Sequence, residues 1–87
     1  MTDELARLAA ARTEAANDLA DADDYLRGLL ARWNDPNDAM DPAVLSERID
    51  AAKVARREAQ VALDEAREAE SAALTEAHVE AEDAARA

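Results

Sequence analysis

The sequence predicts an all-α fold: a two-helix antiparallel coiled-coil hairpin whose second helix is longer and has a protruding C-terminal end. Three observations predict it. Both prolines and the only tryptophan crowd into one stretch, Arg32 to Pro42 (RWNDPNDAMDP), and the rest of the chain holds no proline and a single glycine. On either side of that stretch, apolar and alanine positions recur at alternating gaps of three and four, the seam spacing of a coiled coil. When the chain is folded at the stretch, the two seams complement each other. Residues 1–87 therefore read as one helical hairpin.

Helix one is expected over about residues 3–33. Thr2 suits its N-cap, and Asp3 and Glu4 place negative charge at the positive end of the helix dipole. The seam runs Leu5, Leu8, Arg12, Ala15, Leu19, Ala22, Leu26, Leu29, Trp33. Gly28 lies off it, where glycine costs about 1 kcal/mol against alanine. Pro36 stops the helix, with Asn34 or Asp35 as the expected left-handed terminator.

After a loop over about residues 34–41, helix two is expected over about residues 42–85. Asp41 is a good N-cap, and Pro42 takes the first helical position, where a missing N–H costs nothing. Met40 and Leu45 bracket the cap as a hydrophobic staple. The seam continues Leu45, Ile49, Ala52, Arg56, Ala59, Leu63, Ala66, Glu70, Ala73. With no internal breaker, such a helix is about 67 Å long at 1.5 Å per residue.

The seams pair when opposed residue numbers sum to 78. Trp33 then meets Leu45, Leu29 meets Ile49, Leu26 meets Ala52, and Ala22 meets Arg56. Leu19 meets Ala59, Ala15 meets Leu63, and Arg12 meets Ala66. Past the two bulky layers beside the loop, each long side chain faces an alanine, and every pair joins an a to a d position. Asp23 and Lys53 fall opposite each other as a flanking ion pair. At the open end Leu8 faces Glu70, with Arg12 one turn away to pair with that carboxylate. The spacing Leu63, Ala66, Glu70, Leu74, Ala77, Ala81 contains a four-four step, so the heptad is expected to slip there. Residues after about Leu74 are expected to have no partner within the hairpin.

Composition narrows the function. Twenty-five residues are alanine and only eighteen side chains are large and apolar, with no phenylalanine among them. So thin a core leaves a lone hairpin marginal and makes a homodimer the expected state. A net charge of −11 argues against nucleic acid gripped through its phosphates and against an anionic membrane surface. It suits high solubility, a partner with a basic patch, or mimicry of DNA, although Arg7, Arg12, Arg27, Arg56, Arg57 and Arg67 interrupt the acids. The absence of cysteine removes disulfides and thiolate metal sites. An acidic start and the lack of a long apolar run make the cytoplasm the expected compartment. Nine arginines against one lysine, with abundant Ala and Asp, fit a GC-rich coding sequence such as that of an actinobacterium or its phage.

Catalytic and metal chemistry find little to work with. A two-helix hairpin has no water-excluding pocket, and Ser46 and Ser71 have no nearby histidine. His78 is the only histidine, with Glu82 one turn on, and reads as an exposed tail residue. The pairs Asp23-Asp24, Asp64-Glu65 and Glu82-Asp83 are sequence neighbours that point apart on a helix. Asp35, Asn37 and Asp41 match an EF-hand count at positions one, three and seven. Ala39, Met40 and Ser46 stand where that loop needs an oxygen ligand, glycine and glutamate. Neither an enzyme nor a cofactor or metal is expected.

The bulky residues remain. Half of them, Tyr25, Leu26, Leu29, Leu30, Trp33, Met40, Val44, Leu45 and Ile49, lie in the third of the hairpin nearest the loop. Tyr25, Leu29, Leu30, Trp33, Met40 and Val44 are the partner-binding candidates. Val54 and Val61, seven apart on an outer face, form a weaker second stripe. The layout of two helices around a tryptophan turn resembles the small Trp-x-Gly helical-hairpin proteins exported by type VII secretion. Here the turn reads Trp33-Asn34-Asp35, with Asp where that family has Gly. In place of its C-terminal Tyr-x-x-x-Asp/Glu signal stands His78-Val79-Glu80-Ala81-Glu82. The expected function is a small acidic protein–protein interaction module, for instance a phage- or prophage-encoded accessory protein that modulates a larger bacterial protein. Acidic flanks would steer it to a basic surface. A self-assembling coiled coil, a secreted Trp-turn hairpin and a DNA mimic are the alternatives.

Overall fold

The computed structural model describes residues 2–86, apart from the side chain of Thr2. The cap expected of the Thr2 hydroxyl thus lies outside the described residues. Two helices, α1 (Thr2–Trp33) and α2 (Pro42–Arg86), lie antiparallel in a rod measuring 71 × 15 × 15 Å. The longer α2 projects past the start of α1.

The heptad seam is the buried face. Leu29 on α1 and Leu45, Ile49, Ala52 and Leu63 on α2 are buried, and the seam leucines and alanines between them are half-buried. The core is thickest beside the loop, where Leu29, Leu45, Ile49 and Ala52 form one cluster with Leu26 and Met40 packed against it. Met40 thus occupies the place expected of the staple. Arg12 and Arg56 hold seam positions yet remain exposed, because a long stem lets each guanidinium leave the seam for water and a carboxylate.

The open end keeps its register where a slip is expected. Burial continues through Leu63, Ala66, Glu70, Ala73 and Ala77, whereas Leu74 is 52% exposed. The ion pair between Arg12 Nε and Glu70 Oε1, at 3.1 Å, explains this. It lets a glutamate occupy a seam position, so the chain need not rotate to offer Leu74 instead. Glu4 and Leu5 share a groove with Ala73, Ala77 and Glu80, and the partnerless segment begins past Glu80 and not at Leu74. The flanking pair also differs: Asp23 accepts a hydrogen bond from Arg56, not from Lys53. Arg56 cannot be buried in the seam, and Asp23 is the carboxylate its stem reaches.

The loop follows its turn chemistry with one correction. Among the described residues no non-glycine has positive φ, so neither Asn34 nor Asp35 is a left-handed terminator. Instead α1 tightens at its end: Asn34 N–H donates to Leu30 O and Asp35 N–H to Arg32 O, each at 3.1 Å. Pro36 then forces the residue before it out of helical backbone. Three aspartates turn the chain by accepting the N–H two residues on, Asp35 from Asn37, Asp38 from Met40 and Asp41 from Ala43, each at 2.9 Å. The last of these is the N-cap of α2, whose first helical bond runs from Leu45 N–H to Asp41 O at 3.0 Å.

Gly28 has no conformational or packing reason to be glycine, since a Cβ added there meets nothing within 4 Å. Gly28→Ala is expected to raise stability by about 1 kcal/mol, read as a higher thermal midpoint. An unchanged or lower midpoint would contradict the open surroundings of Gly28.

Candidate interaction surface

The six contact candidates separate into core, edge and tip. Leu29 is 4% exposed and belongs to the core, so it is no surface contact; its seam position opposite Ile49 buries it. Met40 is half-buried against the same cluster. Tyr25 (57% exposed), Trp33 (50%), Leu30 and Val44 remain open to solvent.

These four do not form one patch. Leu30 and Trp33 line a groove of about 250 Å³ with Ser46, Ile49, Asp50 and Lys53. Trp33 and Met40 line a second, of about 400 Å³, with Leu45, Arg32 at the end of α1 and the loop residue Asp38. Tyr25 and Val44 line neither. Heptad geometry explains the separation: Leu30 follows seam residue Leu29 and Tyr25 precedes seam residue Leu26, which puts them on opposite edges of α1. Trp33 is the last seam layer. It lies beside Leu45 on the second groove, and α1 ends at Trp33 before another turn can cover its outer face.

A third groove, of about 450 Å³, adjoins the first through Lys53 and is lined by Leu26, Lys53, Arg56, Arg57 and Gln60. Three of the ten basic residues of a chain with 21 acids meet here. The expected acidic flanks therefore give way to cations farther along this edge, past Asp50. The signal was present in the sequence as Arg56-Arg57, the only adjacent basic pair, three residues after the only lysine.

The loop side of Trp33 is held by a fork. Arg32 Nε donates to Asp38 Oδ2 at 2.9 Å and Arg32 Nη2 to Asp38 Oδ1 at 3.4 Å, while Asp38 also accepts the Met40 N–H. The Arg32 hydrogen bond and then the Met40 N–H hold the Asp38 carboxyl below its ordinary range, and Asp38 in turn raises Arg32. Because the folded Asp38 pKa is depressed, its contribution to loop order is present above the unfolded carboxylate value. That contribution is lost as pH falls through the folded one. Protection of the Met40 amide, taken relative to its intrinsic exchange rate at each pH, should thus fall only below pH of about 4, and Asp38→Asn should lower it at neutral pH while flattening that acid step. An unchanged exchange profile in Asp38→Asn would exclude the fork as the loop's fastener.

Elsewhere the carboxylates are solvated or paired along the surface. His78 Nε2 lies 3.2 Å from Glu82 Oε1, both exposed. Among the described residues no three His, Cys, Asp or Glu side chains gather to hold a metal ion, and no helix is long and apolar enough to cross a membrane. No protein-family model, curated protein or solved structure matches the chain.

Proposed function

We propose that this hairpin is a small non-enzymatic interaction module that binds and modulates a larger protein through its loop end. A bacterial or phage setting and a cytoplasmic location accompany that reading on grounds of composition alone. The observation that carries it is Trp33: half-exposed, it lies between two grooves at the end where the large apolar residues are concentrated. Aromatic side chains with one face buried and one open are the usual anchors of protein interfaces. Capture of partners by the wild-type chain and by a Tyr25→Ala/Trp33→Ala variant tests the reading. Loss of a partner with helicity intact supports it, and an unchanged partner set from a folded variant sinks the role of the tip.

A second reading, self-assembly, is favoured by the thin core. Only five side chains are buried among the described residues, while Val54, Val61, Leu74 and Val79 are each about half-exposed along α2. Sedimentation across concentration discriminates, since a monomer at every concentration removes both the homodimer and the structural role.

A further inference from the structure

The two grooves on the Leu30 edge share Lys53 and form one furrow, which runs from Ser46 and Trp33 at the loop end to Gln60. Along α2 it spans about 21 Å, or about four helical turns. Leu26, Leu30, Trp33 and Ile49 supply apolar surface along it. The charges beside it are Asp50 at the loop end, Lys53 and Arg57 along α2, and Arg56, whose guanidinium is already joined to Asp23. Farther along, Gln60 donates to Asp64 at 3.0 Å. Among the described residues no ion pair joins Lys53 or Arg57 to a carboxylate. A strongly acidic chain thus carries a strip of apolar surface edged by two free cations four residues apart on one helix face.

We propose that this furrow binds an amphipathic helix of a partner protein, with a leucine-type stripe set into the apolar strip and carboxylates along one flank of the stripe. The inference rests on the reading of the loop end as the binding end, and it adds which edge is used and what the partner presents. Helices enter such grooves through anchors at i, i+3 or i+4, and i+7, a repeat that about four turns accommodate. Carboxylates one turn apart on the partner match Lys53 and Arg57, which are one turn apart on α2. A second copy of this chain fits less well: a two-fold pairing centred on the furrow brings Lys53 and Arg57 against their own equivalents.

The test uses two synthetic helical peptides, each about 18 residues long and free of aromatic residues, with the same leucine stripe. One carries glutamate along the flank of the stripe and the other lysine. Trp33, the only tryptophan, reports binding by its fluorescence. The glutamate peptide is expected to give a saturable change that weakens with added salt, and the lysine peptide none. Lys53→Glu/Arg57→Glu should weaken the glutamate peptide by about tenfold or more, whereas Arg7→Glu/Arg86→Glu, with the same net charge, should leave it unchanged. All four positions are exposed, and helicity by circular dichroism checks that each variant folds. Four outcomes overturn the inference: equal binding of both peptides, equal loss in both variants, no saturation up to about 1 mM, or a self-association that Lys53→Glu/Arg57→Glu abolishes. Partner capture separates the two levels. A partner lost with Trp33→Ala but kept by Lys53→Glu/Arg57→Glu leaves the tip reading standing and removes the furrow; a partner indifferent to both removes both.

Discussion

Leu45→Ala is expected to lower the stability of the hairpin by about 2–4 kcal/mol, the range of buried leucine truncations. Leu45 is 3% exposed and belongs to the cluster of buried residues in which both helices meet beside the loop. Its N–H also donates the first backbone bond of α2 to the Asp41 carbonyl, and it lies where Met40 packs. Truncation therefore opens a void under the staple and under Trp33, and in a fold this thin few neighbouring side chains can refill it. A small domain has only a few kcal/mol of net stability, so this loss leaves a large unfolded fraction at room temperature. Val61→Ala, half-exposed on the outer face, should change stability by less than about 0.5 kcal/mol. Denaturant titration of both variants, followed by helicity, makes the comparison. A loss below about 1 kcal/mol for Leu45→Ala would mean that the loop-end cluster is not the core.

The second large effect is at the open end and has a sign that depends on context. Arg12 and Glu70 meet at 3.1 Å, with the Glu70 side chain 18% exposed. Arg12→Leu alone removes the cation and leaves a largely covered carboxylate, which should cost about 1–3 kcal/mol. Arg12→Leu/Glu70→Leu replaces the pair with an apolar layer, and since the exposed Arg12 leaves the pair only half covered, that replacement is neutral or mildly stabilising. The double variant should therefore match or exceed wild type although its parent single variant falls below it. A double-mutant cycle reads the coupling directly. Equal destabilisation in single and double variants would show that the register is held by the alanine layers and not by this pair.

The helix boundaries, the cap at Asp41, the staple at Met40 and the alternation of large residues with alanine were legible because each follows from local backbone chemistry or from a fixed period. The seam pairing of Leu29 with Ile49 and of Trp33 with Leu45 needed only the loop closure. What misled was competition between neighbours of equal spacing. Leu74 is a larger apolar residue than Ala73, yet Ala73 takes the seam because Arg12 makes Glu70 tolerable one turn earlier. The register offers Asp23 either Lys53 or Arg56, and the one that must leave the seam takes it. The loop terminator departs from expectation because asparagine and aspartate suit both left-handed caps and Asx turns, and here Asp35 and Asp38 accept the N–H groups two residues on. At the loop end, the sequence shows where the large apolar residues gather but not which edge each one takes. Leu29 and Leu30 are neighbours along the chain, and one faces the core while the other faces solvent.

On the proposed reading Trp33 is offered at the tip and not consumed by the fold or by a second copy. Its fluorescence in the isolated chain tests that directly, because no other tryptophan contributes. A half-exposed Trp33 predicts a long-wavelength, water-exposed emission that is readily quenched by acrylamide and unchanged over a wide range of protein concentration. A short-wavelength emission protected from quencher, or a shift toward one as concentration rises, would place the tryptophan inside a core or a self-interface and remove it as a partner anchor.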